Sequence, residues 1–164
     1  MPDPVVVIIL GSKSDLEHVQ KIVAALDRFG VRSEVRIASA HKAPRYLLQL
    51  LEQYEADSCL KVYITIAGRS NALSGMVDAQ VAAPVIACPP HSDRFAGMDI
   101  LSSLRMPSGV APAVVLEPEG AALLAVKMLA LADRDLAEVV TQAQRAASER
   151  IAADDAALVA ARQM

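Results

Sequence analysis

Three short polar runs, each following an apolar stretch, hold the residues that could do chemistry. "GSKSD" (11–15) carries the hydroxyls of Ser12 and Ser14 and the carboxylate of Asp15; "SAHKAP" (39–44) carries Ser39, His41 and Lys42. "AGRSNALSG" (67–75) adds Gly68, Arg69, Ser70 and Asn71. Histidine is the side chain suited to moving protons near neutral pH, which makes His41 the candidate general acid/base. Lys42 offers a point charge for phosphate and Ser39 a hydroxyl donor. Ser12, Ser14 and Asp15 stand where a helix should begin, and unpaired N–H groups with the helix dipole favour an anion there. Gly68 allows close backbone approach, while Ser70 and Asn71 can hydrogen-bond a small polar ligand. The plainer alternatives are an N-cap role for Ser14 or Asp15 and a solvent-facing pair for His41 and Lys42.

The elements that must position these runs are legible from apolar patterning. "VVVIIL" (Val5–Leu10) is a continuous branched run closed by Gly11, which predicts a strand buried on both faces. Leu16, Val19, Ile22, Val23, Leu26 and Phe29 recur at helical spacing until Gly30 stops them. "RSEVRIAS" predicts a second strand over 32–39, "PRYLLQLLEQY" a helix over 44–54 with Pro44 in its first turn, and "KVYITIA" a third strand over 61–67. The alternation continues through "LSGMVDAQVA", "PVIACP", "FAGMDILSSL" and "APAVVLE" to a long apolar helix in "EGAALLAVKMLALA".

The fold class expected is therefore α/β: a three-layer αβα, doubly wound parallel sheet of flavodoxin- or Rossmann-like type with right-handed crossovers. Ligands bind such sheets outside the carboxyl ends of the strands, where the three polar runs fall. Together they predict a pocket for a small phosphorylated metabolite with a titratable group beside it. Neither G-x-G-x-x-G nor a Walker loop occurs, which disfavours dinucleotides and phosphoryl transfer from ATP.

With 164 residues, one domain over 1–164 is expected, as a core over 1–132 and a helical extension over 133–164. In the extension Leu136, Val139, Val140, Ala143, Ala147 and Ile151 form one stripe, which suits a helix lying on its own domain or, the reading favoured here, reaching across a neighbouring subunit. Hydrophobic residues at 54% against 21% charged are many for a soluble monomer, so some apolar surface is expected to be buried between subunits. A net charge of -3 supplies no basic field, which argues against a nucleic-acid partner. No basic leader occurs and no run approaches the ~20 apolar residues of a membrane span. A soluble, cytoplasmic protein with no membrane partner is the expectation.

Cys59 and Cys88 show no metal or redox spacing and are read as small buried hydrophobes. His18 and His91 accompany no metal-ligand cluster and are assigned solvated or structural roles; no metal site is expected. Met98 and Met106 are read as packing, and "RMPSG" (105–109) as a tight loop closing over the pocket.

"GSKSD", "SAHK", "AGRSNALSG", "ACPP" and "SSLRMPSG", in this order and at these separations, resemble the phosphoribosylaminoimidazole carboxylase (PurE) family of purine biosynthesis. The resemblance spans nearly the whole chain, to about Ala132. That family has a mutase branch, which moves a carboxylate from N5 to C4 of the aminoimidazole, and a carboxylase branch, which adds free CO2 at C4. The mutase branch usually has Arg after the loop histidine and Gly-Gly-Ala-Ala-His after the third strand. Lys42 and "AGRSN" resemble instead the carboxylase branch, class II, which is also found fused in animal bifunctional enzymes.

The resemblance implies conversion of 5-aminoimidazole ribonucleotide (AIR) and CO2 to 4-carboxy-5-aminoimidazole ribonucleotide (CAIR) in de novo purine (IMP) biosynthesis. It implies no ATP, metal or other cofactor, with CO2 as co-substrate. His41 would shuttle the C4 proton; Ser12, Ser14, Asp15, Ser39 and Lys42 would bind the ribose phosphate, Asp15 suiting the ribose hydroxyls. Gly68, Arg69, Ser70 and Asn71 would hold CO2 or the nascent carboxylate. A homo-tetramer or homo-octamer with sites between subunits is implied as well. Two other readings stand beside it: an N5-CAIR mutase, and a non-catalytic nucleotide-binding module on a flavodoxin-like sheet.

Overall fold

A computed structural model describes residues 3–162. Its strands are β1 (Val5–Leu10), β2 (Arg32–Ile37), β3 (Lys61–Ile66), β4 (Val85–Ala87) and β5 (Ala113–Val114). Its helices are α1 (Leu16–Asp27), α2 (Pro44–Glu55), α3 (Leu73–Asp78), α4 (Leu101–Leu104), α5 (Pro118–Ala130) and α6 (Arg134–Ala161), with 3-10 segments at Lys13–Asp15 and Arg94–Ile100. The five strands are all parallel, in the order β2-β1-β3-β4-β5. The expected α/β architecture, with helices on both faces, is what the chain adopts.

Side-chain alternation along β1 divides the interior in two. Val6, Ile8 and Leu10 face a core completed by α1, α5 and the start of α6; Val5, Val7 and Ile9 face one completed by α2 and α3. Both β1 and β3 are buried at every position. A sheet covered on both faces selects continuous apolar runs rather than alternating ones, which is why these strands were readable. Leu10 lies in register with Ile37 on one side and Ile66 on the other, so the loops after β1, β2 and β3 leave the sheet at one level.

Several expectations shift. The second strand ends at Ile37, because Ser39 starts a turn: its Oγ accepts from Lys42 N at 3.2 Å and its carbonyl from Ala43 N at 2.9 Å. "FAGMDILSSL" is not one helix, since Phe95, Ala96 and Gly97 take left-handed backbone (φ 52, 52 and 76°) before α4 begins. The "RMPSG" loop packs on α3, where the Met106 sulfur would lie 3.0 Å from a Cβ added to Gly75. It does not line the cavity described below.

The terminal extension is a single 28-residue helix whose start is capped by Asp133, accepting from Leu136 N at 3.0 Å. Leu136 and Val140 are buried, whereas Ala143, Ala147 and Ile151 of the same stripe are exposed. Among the described residues no helix is long and apolar enough to cross a membrane.

Candidate active site

A cavity of about 710 Å³ opens at the carboxyl ends of β1, β2, β3 and β4. After β1 the chain is tied to its neighbour by Gly11 N donating to Ile66 O at 3.0 Å. Ser12 then caps the 3-10 turn, its Oγ accepting from Ser14 N at 3.3 Å and lying 3.0 Å from Ser14 Oγ. The side-chain cap is thus Ser12 and not Ser14 or Asp15, the latter standing at the start of α1 with no capping hydrogen bond from its side chain, and all three line the cavity. After β2 the Ser39 turn brings His41 and Lys42 to the cavity wall, both exposed, just before Pro44 opens α2.

The loop after β3 is anchored more firmly. Gly68 sits against the next loop, where a Cβ would come 3.4 Å from Pro90 Cγ. Arg69 has a left-handed backbone (φ 60°) fixed at both ends: its N–H donates to Asp99 Oδ2 at 3.0 Å and its carbonyl accepts from Ser102 Oγ at 3.1 Å. Nine of the ten residues selected from sequence line the cavity. The exception is Asn71, which is buried outside it. Its Nδ2 donates to Ser103 Oγ at 2.9 Å, its N–H to Ser102 Oγ at 2.9 Å, and its Oδ1 accepts from Ser74 N at 3.1 Å. An amide with its oxygen occupied and its nitrogen engaged inside the protein has little left to offer a ligand; Asn71 fixes the loop.

Residues not selected also reach the cavity. Glu17, His18 and Lys21 come from α1, and Pro90, His91, Ser92 and Arg94 from the loop after β4. Asp15, His18 and Lys21 are spaced by three, which puts them on one helical face, and the β4 loop lies at a strand end. Those were the available signals. His18, read as solvated or structural, is half-buried with Nε2 3.2 Å from Cys88 Sγ, and burial lowers its pKa. The Cys88 thiol is pushed up to about 12 by burial. Both cysteines are buried, as expected. His91 is exposed and pairs with Asp93 at 3.1 Å.

The wall is cationic although the chain is not. Lys21, Lys42, Arg69 and Arg94 face Asp15 and Glu17 across the same space, an excess of positive charge suited to a phosphate or carboxylate. Among the described residues no group of three His, Cys, Asp or Glu side chains stands together as a metal site. A smaller cavity of about 260 Å³ adjoins the first through Ala67, Gly68 and Pro90. The arrangement can bind an anionic, hydroxyl-bearing molecule and expose one of its atoms to the imidazole of His41.

The family model described as AIR carboxylase matches residues 5–150. A phosphoribosylaminoimidazole carboxylase of Treponema denticola is 51% identical over 155 residues, covering 94% of this chain and 98% of that protein. One from Archaeoglobus fulgidus is 55% identical over 138 residues, covering 84% of this chain and 76% of that protein. The crystal structure of Treponema denticola PurE superimposes with a TM-score of 0.93 at 51% identity, over 94% of this chain and 98% of that one.

Proposed function

The chain belongs to the AIR carboxylase family, and from that premise we propose that it carboxylates AIR at C4 with free CO2, giving CAIR in de novo purine biosynthesis. The observation carrying this reading is that His41 opens onto the same cavity as the hydroxyl-rich turn after β1 and the Arg69–Ser70 segment after β3. The choice of CO2 over an N5-carboxylated substrate rests on Lys42 and "GRSN", which resemble the carboxylase branch.

The chemistry asks little of the protein beyond placement. C4 of the aminoimidazole is an enamine carbon, so it attacks CO2 directly: a C–C bond forms and one C=O pair moves onto oxygen to give a carboxylate. C4 is then tetrahedral and still carries its hydrogen. Neutral His41 takes that proton, the C–H electron pair restores the aromatic ring, and the imidazolium passes the proton to solvent. The reverse reaction begins from imidazolium. No metal, ATP or biotin enters this scheme.

Ser12, Ser14, Ser39 and Lys42 hold the phosphate and Asp15 the ribose hydroxyls. Arg69 and Ser70 face the carboxylate, where negative charge develops as CO2 bends. Gly68 lets the loop backbone approach. Asn71 serves by holding the loop rather than by touching substrate. The reading extends to a homo-tetramer or homo-octamer, supported by the exposed Val35, Ile37, Leu101 and Leu104 and by the uncovered second half of α6.

The test is a side-by-side assay of purified protein with AIR plus bicarbonate, and with N5-carboxylated AIR, both without ATP. CAIR formed from AIR is the expected result. Product from the N5-carboxylated substrate alone would make the chain a mutase. Binding of AIR with neither conversion would reduce it to a nucleotide-binding module.

A further inference from the structure

The scheme above leaves a histidine of the cavity wall, and the buried cysteine behind it, unused. His18 projects from α1 with Nε2 3.2 Å from the Sγ of Cys88, the residue that follows β4. Cys88 is fully buried, and its Sγ also lies 3.7 Å from the carbonyl of Leu116, so the sulfur is fixed from two sides. His18 lines the cavity together with Asp15 and Lys21 from the same helical face. Because α1 packs on one face of the sheet and α2 on the other, His18 and His41 approach the cavity from opposite helical layers.

The Cys88 contact occupies Nε2. Nδ1 has no hydrogen-bond partner among the described residues, which leaves it for a ligand. Burial lowers the pKa of the ring and favours its neutral form, with Lys21 acting in the same sense and the Cys88 backbone, Asp15 and Glu117 opposing it. A half-buried ring in a fixed orientation suits an uncharged hydrogen-bonding group better than a phosphate, for which the wall already holds four cations.

We propose that His18 contacts the substrate through Nδ1, hydrogen-bonding an uncharged ribose hydroxyl or ring amine of the ribonucleotide, and that Cys88 is its positioning residue, fixing the ring through Nε2. This rests on reading the cavity as a ribonucleotide site. Recognition of one molecule is thus divided: charge is read by the lysines and arginines, and the uncharged middle by a ring held in a fixed orientation.

The experiment uses the isosteric relation between histidine and its amide replacements, since Asn places its amide near Nδ1 and Gln near Nε2. AIR binding by calorimetry, KM and kcat for AIR, and inhibition by inorganic phosphate are measured for wild type, His18→Asn, His18→Gln, Cys88→Ala and the Cys88→Ala/His18→Gln pair. We expect His18→Gln to weaken AIR binding and raise KM about tenfold, the effect of one lost hydrogen bond at the upper end of the usual range. Under the same conditions kcat changes less, His18→Asn recovers most of the affinity, and phosphate inhibition is unchanged throughout. Cys88→Ala weakens AIR severalfold, and His18→Gln adds little on top of it. Equal AIR affinity in all variants overturns the proposal, and so does parallel loss of AIR and phosphate binding in both His18 variants. If wild type binds AIR without converting it, the carboxylase reading fails while the calorimetric comparison still decides the role of His18. If wild type does not bind AIR, both fail.

Discussion

The side-chain amide of Asn71 donates to the hydroxyl of Ser103 at 2.9 Å, joining two buried residues 32 positions apart in the chain. With Ser74 N–H bonded to its Oδ1, Asn71 clamps the segment that presents Gly68, Arg69 and Ser70 to the cavity. Asn71→Ala leaves a buried hydroxyl and a buried N–H without these partners, at a cost of about 1–3 kcal/mol. The measurement is the urea midpoint, which should fall. Carboxylation should fall with it, although Asn71 itself lies outside the cavity.

His41→Asn removes the proton acceptor while keeping a polar side chain of similar reach. We expect kcat for AIR carboxylation to drop about 10²–10⁴-fold, the usual contribution of a positioned acid/base group. AIR binding by calorimetry should stay within a few-fold of wild type. Equal loss of binding and turnover would mean that the ring is a ligand contact only.

Arg69 holds a left-handed backbone that costs a residue with a Cβ about 1–2 kcal/mol. Arg69→Gly relieves this strain but removes the guanidinium, whereas Arg69→Ala keeps the strain and removes the same group. Thermal unfolding should therefore rank Gly above Ala, with both weakened in KM for CO2. A melting temperature lower for Gly than for Ala would show that the loop pays nothing for its geometry.

Burial lowers the pKa of His18 below its ordinary 6.5, so as pH falls the unfolded chain takes up that proton first. Stability gained by keeping the ring neutral is intact above about pH 6.5 and is lost as pH falls through that value towards the folded pKa. Unfolding free energy measured across this window should fall more steeply with acid in wild type than in His18→Gln. His41 and His91 are present in both proteins, so the difference in slope belongs to His18.

Much of this was legible in the sequence because a covered parallel sheet writes its strands as plain apolar runs, and because its ligands gather where those runs stop. β1 and β3 announce themselves in this way, and the loops after β1, β2 and β3 contain nine of the cavity's residues chosen without a structure. What stayed hidden depended on partners distant in sequence. Asn71 resembles a ligand-binding amide until Ser103 is seen to hold it, and His18 looks like a solvated helix residue until Cys88, 70 positions away, meets its ring. The apolar letters of "FAGMDILSSL" suggest a helix, and Gly97 alone hints at the reversed backbone of Phe95–Gly97. The Lys42 and "GRSN" signals needed the resemblance to acquire chemical meaning, since spacing alone leaves them as a cation and a polar turn.

The sheet also separates two hydrophobic interiors that share few atoms except those of the strands between them. A ribonucleotide lying across the strand ends would touch the α1 side through His18 and the α2 side through His41. Occupancy would then act as a rivet, raising the resistance of both halves to unfolding in step, so that the two sides of the molecule melt as one unit when filled and more loosely when empty.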